Sequence, residues 1–412
     1  MAGTRYWVWL SERRMVPLRM RLQLLEHFGS PEDVFFAEAD DYLQVEGMTP
    51  RMAAAMDQKD TDEADRILGA CERMGVRILT LQDADYPMRL RNIFEPPCLL
   101  YVKGTLPLFD EEAAIAMVGT RKATPYGLET AEELAYAMAK QGALIVSGGA
   151  YGIDSAAHRG ALRAGAKTVA LLGCGIDVVY PPGNARLYRD VVASGALMTE
   201  YPPGEQALGS HFPVRNRIIS GLCLATVIVE APEVRSGALI TAQTALDQGR
   251  DVFAVPGPIN APMSRGCNRL IADGAAALIA DTSDVLWEYE ARFPHKLHCG
   301  RVEMPNAAIS GTEIPAAEAK TAPKKETPKA EAEPEPRKLP AVDIREGVTA
   351  LTDDQIAVLK RLKDADWDPD DLIEELELPA RRVLSALTML EIEGCVAKSG
   401  GRFSLSAELI EE

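Results

Sequence analysis

The sequence predicts an α/β protein built on an extended Rossmann-like, doubly wound sheet, with a helical domain before it and a winged helix after it. Three observations carry this. Short apolar runs alternate with helical stretches from about residue 75 to 290: Ile115-Ala-Met-Val, Ala143-Leu-Ile-Val, Thr168-Val-Ala-Leu-Leu, Thr226-Val-Ile-Val and Asp251-Val-Phe-Ala-Val. Runs of this length separated by helices mark a parallel sheet buried on both faces. Near the start, Leu18, Leu22, Leu25 and Phe28 keep helical spacing up to Gly29-Ser30-Pro31, a helix stop followed by a fresh cap. Near the end, Asp353 to Leu362, Asp368 to Leu378 and Pro379 to Ile392 read as three helices, and Cys395 to Leu405 as a hairpin around Ser399-Gly400-Gly401, which is the order of a winged helix.

These elements divide the 412 residues, too many for a single core, into four expected segments. Residues 1–72 form a small helical domain of the SAM or helix-hairpin-helix kind, with Tyr42-Leu-Gln-Val-Glu-Gly-Met-Thr-Pro as its hairpin turn; packing is its first expected role and DNA-backbone contact its second. Residues 73–294 form the Rossmann-like domain. Residues 295–347 include Thr321-Ala-Pro-Lys-Lys-Glu-Thr-Pro-Lys, a composition too poor in apolar groups to order itself, and are expected to be a disordered linker. Residues 348–412 form the winged helix.

Composition excludes several function classes. No run approaches the roughly 18 apolar residues of a membrane span, and the first residues lack the pattern of a secretory signal, so a cytoplasmic protein with no membrane partner is expected. Seven cysteines stand singly, without the pairs of a zinc site or disulfide framework. His295, His298 and Cys299 lie close in sequence but lack a fourth ligand, so no metal is expected. The net charge of −17 opposes wholesale coating of nucleic acid, because non-specific phosphate affinity comes from Lys and Arg. A local pocket of amides and a few cations can still hold phosphates.

Four loops follow apolar runs and open helices, which places them together at the carboxyl edge of the sheet. In Val118-Gly119-Thr120-Arg121-Lys122-Ala123-Thr124-Pro125, Gly119 permits a tight turn, Thr124 caps the helix that Pro125 begins, and the helix amides with Arg121 make an anion site. Ser147-Gly148-Gly149-Ala150-Tyr151-Gly152-Ile153-Asp154 lets a phosphate or sugar approach the backbone. Asp154 is read there as a cap rather than an acid, and His158 as a packed histidine rather than a base. Gly173-Cys-Gly175-Ile-Asp177, followed by Tyr180-Pro-Pro-Gly-Asn184, begins a dinucleotide fingerprint, but position 178 is Val and the third glycine is missing, which argues against a nicotinamide cofactor. Lys167 stands before the preceding strand, as a solvated charge or as a cation facing the edge of Arg121. The fourth group joins Arg215, Asn216 and Arg217 to Glu230-Ala-Pro-Glu-Val-Arg235-Ser236-Gly237; guanidinium groups beside amides suit phosphate oxygens.

In this order and spacing, G-T-R-x-x-T-x-Y-G, S-G-G-A-x-G-I-D-x-x-A-H, L-G-C-G-I-D-x-x-Y-P, F-P-x-R-N-R-I-I-S and S-G-A-L-I-T-A resemble the DNA processing protein A (DprA, or Smf) family over roughly residues 75 to 290. The resemblance implies a homodimer without catalytic activity or cofactor that binds single-stranded DNA. It also implies loading of RecA recombinase onto strands coated by single-strand-binding protein in natural transformation. By the same resemblance Arg121 and Lys167 are the principal phosphate contacts, with Ser147, Gly148 and Arg217 around them. Thr120 departs mildly, since many members carry Ser there. The rival reading is an enzyme like the related phosphoribohydrolases, but the stretch from Pro232 to Ala242 lacks the catalytic glutamate of their P-G-G-x-G-T-x-x-E loop. From Val348 onward acidic residues exceed basic ones by about 8, and Arg381 and Arg382 alone open the third helix, so protein contact is at least as expected there as DNA binding.

Overall fold

In a computed structural model, the chain folds as two compact units, Met1–Gly311 and Thr312–Glu412. The described residues are 2–234, 236–299, 341–343 and 351–410, without 364–366, 368, 377, 379, 393–394, 400–401 and 407. Arg235 and most of the expected linker therefore lie outside them. The first residues of that linker are part of the first unit: Leu297 is buried, and the His298 amide donates to the Gln141 carbonyl at 2.9 Å.

The first unit begins with six helices: α1 Ala2–Ser11, α2 Leu18–Phe28, α3 Pro31–Phe36, α4 Ala39–Tyr42, α5 Pro50–Met56 and α6 Asp62–Met74. Two starts follow one rule, a hydroxyl cap and then proline. Ser30 Oγ accepts the Asp33 amide at 3.1 Å and Thr49 Oγ1 the Met52 amide at 3.3 Å, each filling a donor left open in the first turn.

The chain then alternates through β1 Arg77–Thr80, α7 Met88–Arg91, β2 Leu99–Gly104, β3 Ala114–Val118, α8 Pro125–Lys140, β4 Leu144–Ser147, α9 Ile153–Arg163, β5 Thr168–Leu171, α10 Ala185–Ser194 and β6 Ala196–Thr199. It continues through α11 His211–Leu222, β7 Ala225–Ile228, α12 Gly237–Asp247, β8 Asp251–Ala254, α13 Arg265–Ala272, β9 Ala277–Leu278 and α14 Ser283–Glu290. The nine strands form one sheet in the order β1-β2-β6-β5-β4-β3-β7-β8-β9. Strands β3 to β9 run parallel, and β2 pairs antiparallel with both β1 and β6. The five strands read from apolar runs are β3, β4, β5, β7 and β8; the structure adds β1, β2, β6 and β9.

Alternate strand residues sort into opposite cores, as a two-residue period requires. Val169 and Leu171 face a core shared with α7, α11 and α12, while Ala170 and Leu172 face the amino-terminal helices. Ile115, Met117 and Ile145 pack under α8, α9 and α14. From β3 the chain winds one way through β4, β5 and β6 and then returns to β7 on the other side of β3, so the strand order reverses there. Crevices at such a reversal, beyond the carboxyl ends of the strands, are where ligands of open α/β sheets bind.

The second unit contains β10 Ala341–Asp343, α15 Asp353–Leu362, α16 Pro369–Leu376, α17 Ala380–Ile392, β11 Val396–Ser399, β12 Arg402–Leu405 and β13 Glu408–Ile410. Strands β11 and β12 are the expected antiparallel wing, and β10 pairs parallel with β13. Its core gathers Val358, Leu359, Leu362, Leu372, Val383, Leu387 and Phe403.

His158 on α9 is fully buried, as a packing residue should be. Thr168 Oγ1 donates to the Ile145 carbonyl at 2.8 Å, which leaves that oxygen to accept the Nδ1 proton of His158 at 2.8 Å. The other nitrogen, Nε2, is buried and has no partner among the described residues. Burial, with Arg215 and Arg159 adding to it, pushes the imidazole down to about 3 from its ordinary 6.5. The unfolded chain therefore binds a proton below pH 6.5 that the folded chain refuses. Stability supplied here is complete above pH 6.5 and falls as pH drops from 6.5 toward 3. In an NMR titration, one of the five histidines should stay neutral from pH 8 to 5; five histidines titrating near 6.5 would refute the assignment.

Candidate nucleic-acid interface

The loops after β3, β4, β5 and β7 enclose a cleft of about 470 Å³ joined to a smaller apolar recess of about 210 Å³. Its floor is Arg215, only 5% exposed. The guanidinium donates to the Leu171 carbonyl at the end of β5, and its Nε donates to Asn216 Oδ1 at 3.2 Å. Asp154, also buried, sits in the first turn of α9 and accepts the Ala150 amide of the preceding loop at 3.3 Å; the N-cap position belongs to Gly152, so Asp154 braces the glycine loop and does not cap the helix. Burial raises the Asp154 carboxyl, against the pull of Arg215, and lowers Arg215, against the pull of Asp154. Gly148 makes room for this pair: a Cβ there would sit 2.6 Å from Asp154 Oδ2 and 2.7 Å from the Arg215 guanidinium.

The rim carries exposed charge. Arg121 is exposed, with its guanidinium stacked 4.7 Å over the ring of Phe212; Lys122 is exposed beside it. Among the described residues neither forms an ion pair. Arg215 approaches Phe212 at 5.8 Å, and Phe212 contacts the Tyr180 ring at 5.5 Å. Opposite them α12 begins with Ser236 and Gly237. Ser236 makes no cap hydrogen bond, and nothing lies within 4 Å of a Cβ built on Gly237. The open amides and the positive end of this 11-residue helix face the cleft, the usual arrangement for an anion.

Of the residues expected from sequence, Gly119, Arg121, Arg215, Asn216, Ser236 and Gly237 line the cleft, and Gly148 and Gly149 line the recess. Gly119 also serves packing, since a Cβ there would lie 2.4 Å from Ile153 Cγ1. The structure does not bring the other five into the cleft lining. Thr124 does cap α8, accepting the Gly127 amide at 3.2 Å, but the anion at that helix start is a protein carboxylate. Buried Glu230 accepts the Thr124 amide at 2.9 Å and the Thr124 hydroxyl at 2.6 Å. Ser147 is fully buried and donates to the Met117 carbonyl, tying β4 to β3. Asn184 is buried and donates to the Gly149 and Ala150 carbonyls and to Ser155 Oγ, so it shapes the glycine loop from behind. Lys167 is exposed in the turn before β5, at the amino edge of the sheet and therefore opposite the cleft. Arg217 turns away to Glu200, with contacts of 2.9 and 2.7 Å, and its charge is answered there.

Sequence reasoning missed Lys122, Phe212 and Tyr180 as cleft residues. The signal available was adjacency: Lys122 follows Arg121, and Phe212 stands three residues before Arg215.

Comparison with known proteins gives the family and the fold. Residues 77–290 match the family described as DNA recombination-mediator protein A, and residues 323–402 match the DprA winged helix domain. DNA processing protein DprA of Streptococcus pneumoniae is 44% identical over 211 residues, 51% of this chain and 73% of that protein. Protein Smf of Synechocystis is 36% identical over 281 residues, 67% of this chain and 70% of that protein. The X-ray structure of DNA processing protein A from Streptococcus pneumoniae superimposes with a TM-score of 0.61 at 35% identity, covering 69% of this chain and 98% of that one. With its sheet order, its cleft and its winged helix accounted for, the chain belongs to the DNA recombination-mediator protein A family, whose members are called DprA or Smf.

Proposed function

We propose that the cleft grips the phosphate backbone of single-stranded DNA, and that the protein presents the strand to a recombinase without a covalent step. One observation carries the reading: the open amino end of α12 lines the same cleft as Arg121 and Lys122, two exposed cations that form no ion pair among the described residues. A cation that evolution leaves unpaired beside open amides is positioned for an external anion. The net charge of −17 makes this local arrangement the means of holding a polyanion. Phe212 and Tyr180 add aromatic faces, on which unpaired bases stack with little regard for sequence.

Family membership supports extending the proposal to dimerisation and to the loading of RecA onto strands coated by single-strand-binding protein. Under this reading Glu230 is a structural anion, as its bonds to Thr124 suit it to close α8. The phosphoribohydrolase alternative is separated by competition: nucleoside monophosphates displace an oligonucleotide from a nucleotide enzyme and leave a strand binder occupied.

Arg121→Ala should weaken binding to oligo-dT about tenfold, the order of one charge-assisted hydrogen bond. It should also flatten the plot of log affinity against log salt by about 0.7, the counterion contribution of one phosphate contact on a single strand. Arg217→Ala and Lys167→Ala should leave that slope unchanged; a slope altered by either and not by Arg121→Ala would overturn the site. A fragment ending at Cys299 should retain strand binding in a gel shift, because every cleft residue lies before that point. Loss of binding would move the site to the second unit.

A further inference from the structure

We infer that the groove between α15 and α17 docks a basic segment of a partner protein, and that α17 does not read duplex DNA. In a winged helix the third helix is the one that ordinarily enters the major groove. Here its exposed side presents Arg382, Ser385 and Met389, at the spacing of one helix face. Arg382 is not free for a phosphate or a base edge. Its Nε and Nη2 hold both oxygens of Asp354 at 2.8 and 2.7 Å. Arg361 is held in turn by Glu375 at 3.0 Å.

The start of α15 is closed to anions as well. Thr352 and Gln355 form a reciprocal cap, with the Thr352 amide donating to Gln355 Oε1 at 2.8 Å and the Gln355 amide to Thr352 Oγ1 at 3.4 Å. Asp353 and Asp354 fill the first turn. Duplex DNA, with one negative charge per roughly 1.7 Å of axis, would meet a segment carrying an excess of about 8 acidic residues from Val348 onward.

The same features suit a cation-bearing chain. Thr352, Asp354, Gln355, Arg382, Ser385 and Met389 line a groove of about 380 Å³, and Met389 is 47% exposed in it. Methionine at a protein surface adapts to varied apolar partners. Beside it in the first turn of α15, Asp353 is exposed and, among the described residues, outside any ion pair, which fits a segment that carries lysine or arginine on one side and an apolar side chain on the other.

The test uses the full chain and a labelled amphipathic lysine–leucine peptide, read by fluorescence anisotropy at moderate salt, with a labelled duplex in parallel. Met389→Glu makes the groove more acidic, so diffuse attraction would hold the peptide equally or more tightly, whereas docking in the groove should weaken about tenfold. Ser385→Trp, which fills the groove without changing charge, should weaken it similarly. Binding of oligo-dT by the first unit should be unaltered in both variants. Peptide affinity that is unchanged or raised in Met389→Glu would overturn the proposal. So would duplex binding that disappears in Arg382→Ala.

Discussion

Burying a guanidinium costs several kcal/mol unless polar partners replace its water, and the carboxyl edge of this sheet is arranged around that demand at Arg215. The Leu171 carbonyl, Asn216 and the neighbouring Asp154 carboxylate supply the replacement. Each belongs to a different element: the end of β5, the middle of α11 and the first turn of α9. The fixed position of Arg215 therefore sets where three elements meet, and the absence of a side chain at Gly148 lets the glycine loop close over it. A permanently buried positive floor beneath the cleft needs no rearrangement when an anion arrives. It leaves Arg121 and Lys122 as the groups that adjust.

Electrostatics in this protein works by local sorting. The same helix, α11, carries Arg215 under the cleft and Arg217 against Glu200, two residues apart and on different sides. One guanidinium contributes field to the cleft and the other joins α11 to the strand end at Glu200. Likewise the amino end of α8 is closed by Glu230, while the amino end of α12 stays open. Of two helices expected to hold phosphates, one is satisfied internally, and this difference concentrates the binding potential at a single place on an acidic surface.

Much of this was legible in the sequence. The apolar runs disclosed β3, β4, β5, β7 and β8 because strands buried on both faces have no polar alternation to disguise them. Strands β1 and β9 are not legible because they are short edge strands with exposed positions. The convergence of four loops on one edge followed from parallel topology alone. What could not be read was the identity of each hydrogen-bond acceptor. Thr124 looks the same in sequence whether its helix awaits a phosphate or already holds Glu230, 106 residues away. Asn184 equally gives no local sign that its amide supports the loop of Gly149. Of the two readings open for Lys167, a solvated charge and a cation at the edge of Arg121, its exposed place in the turn before β5 matches the first.

The amino-terminal helices share their core with the sheet: Trp7, Trp9 and Tyr42 belong to the same buried cluster as Leu99, Tyr101, Ala170 and Leu197. These helices are a roof that the strands beneath cannot do without. Were they lost, the largely apolar face formed by Leu99, Tyr101, Ala170, Leu172 and Leu197 would be laid open, and such a surface collects other molecules instead of water. The cleft on the far rim thus depends for its solubility on a segment that contributes none of its lining.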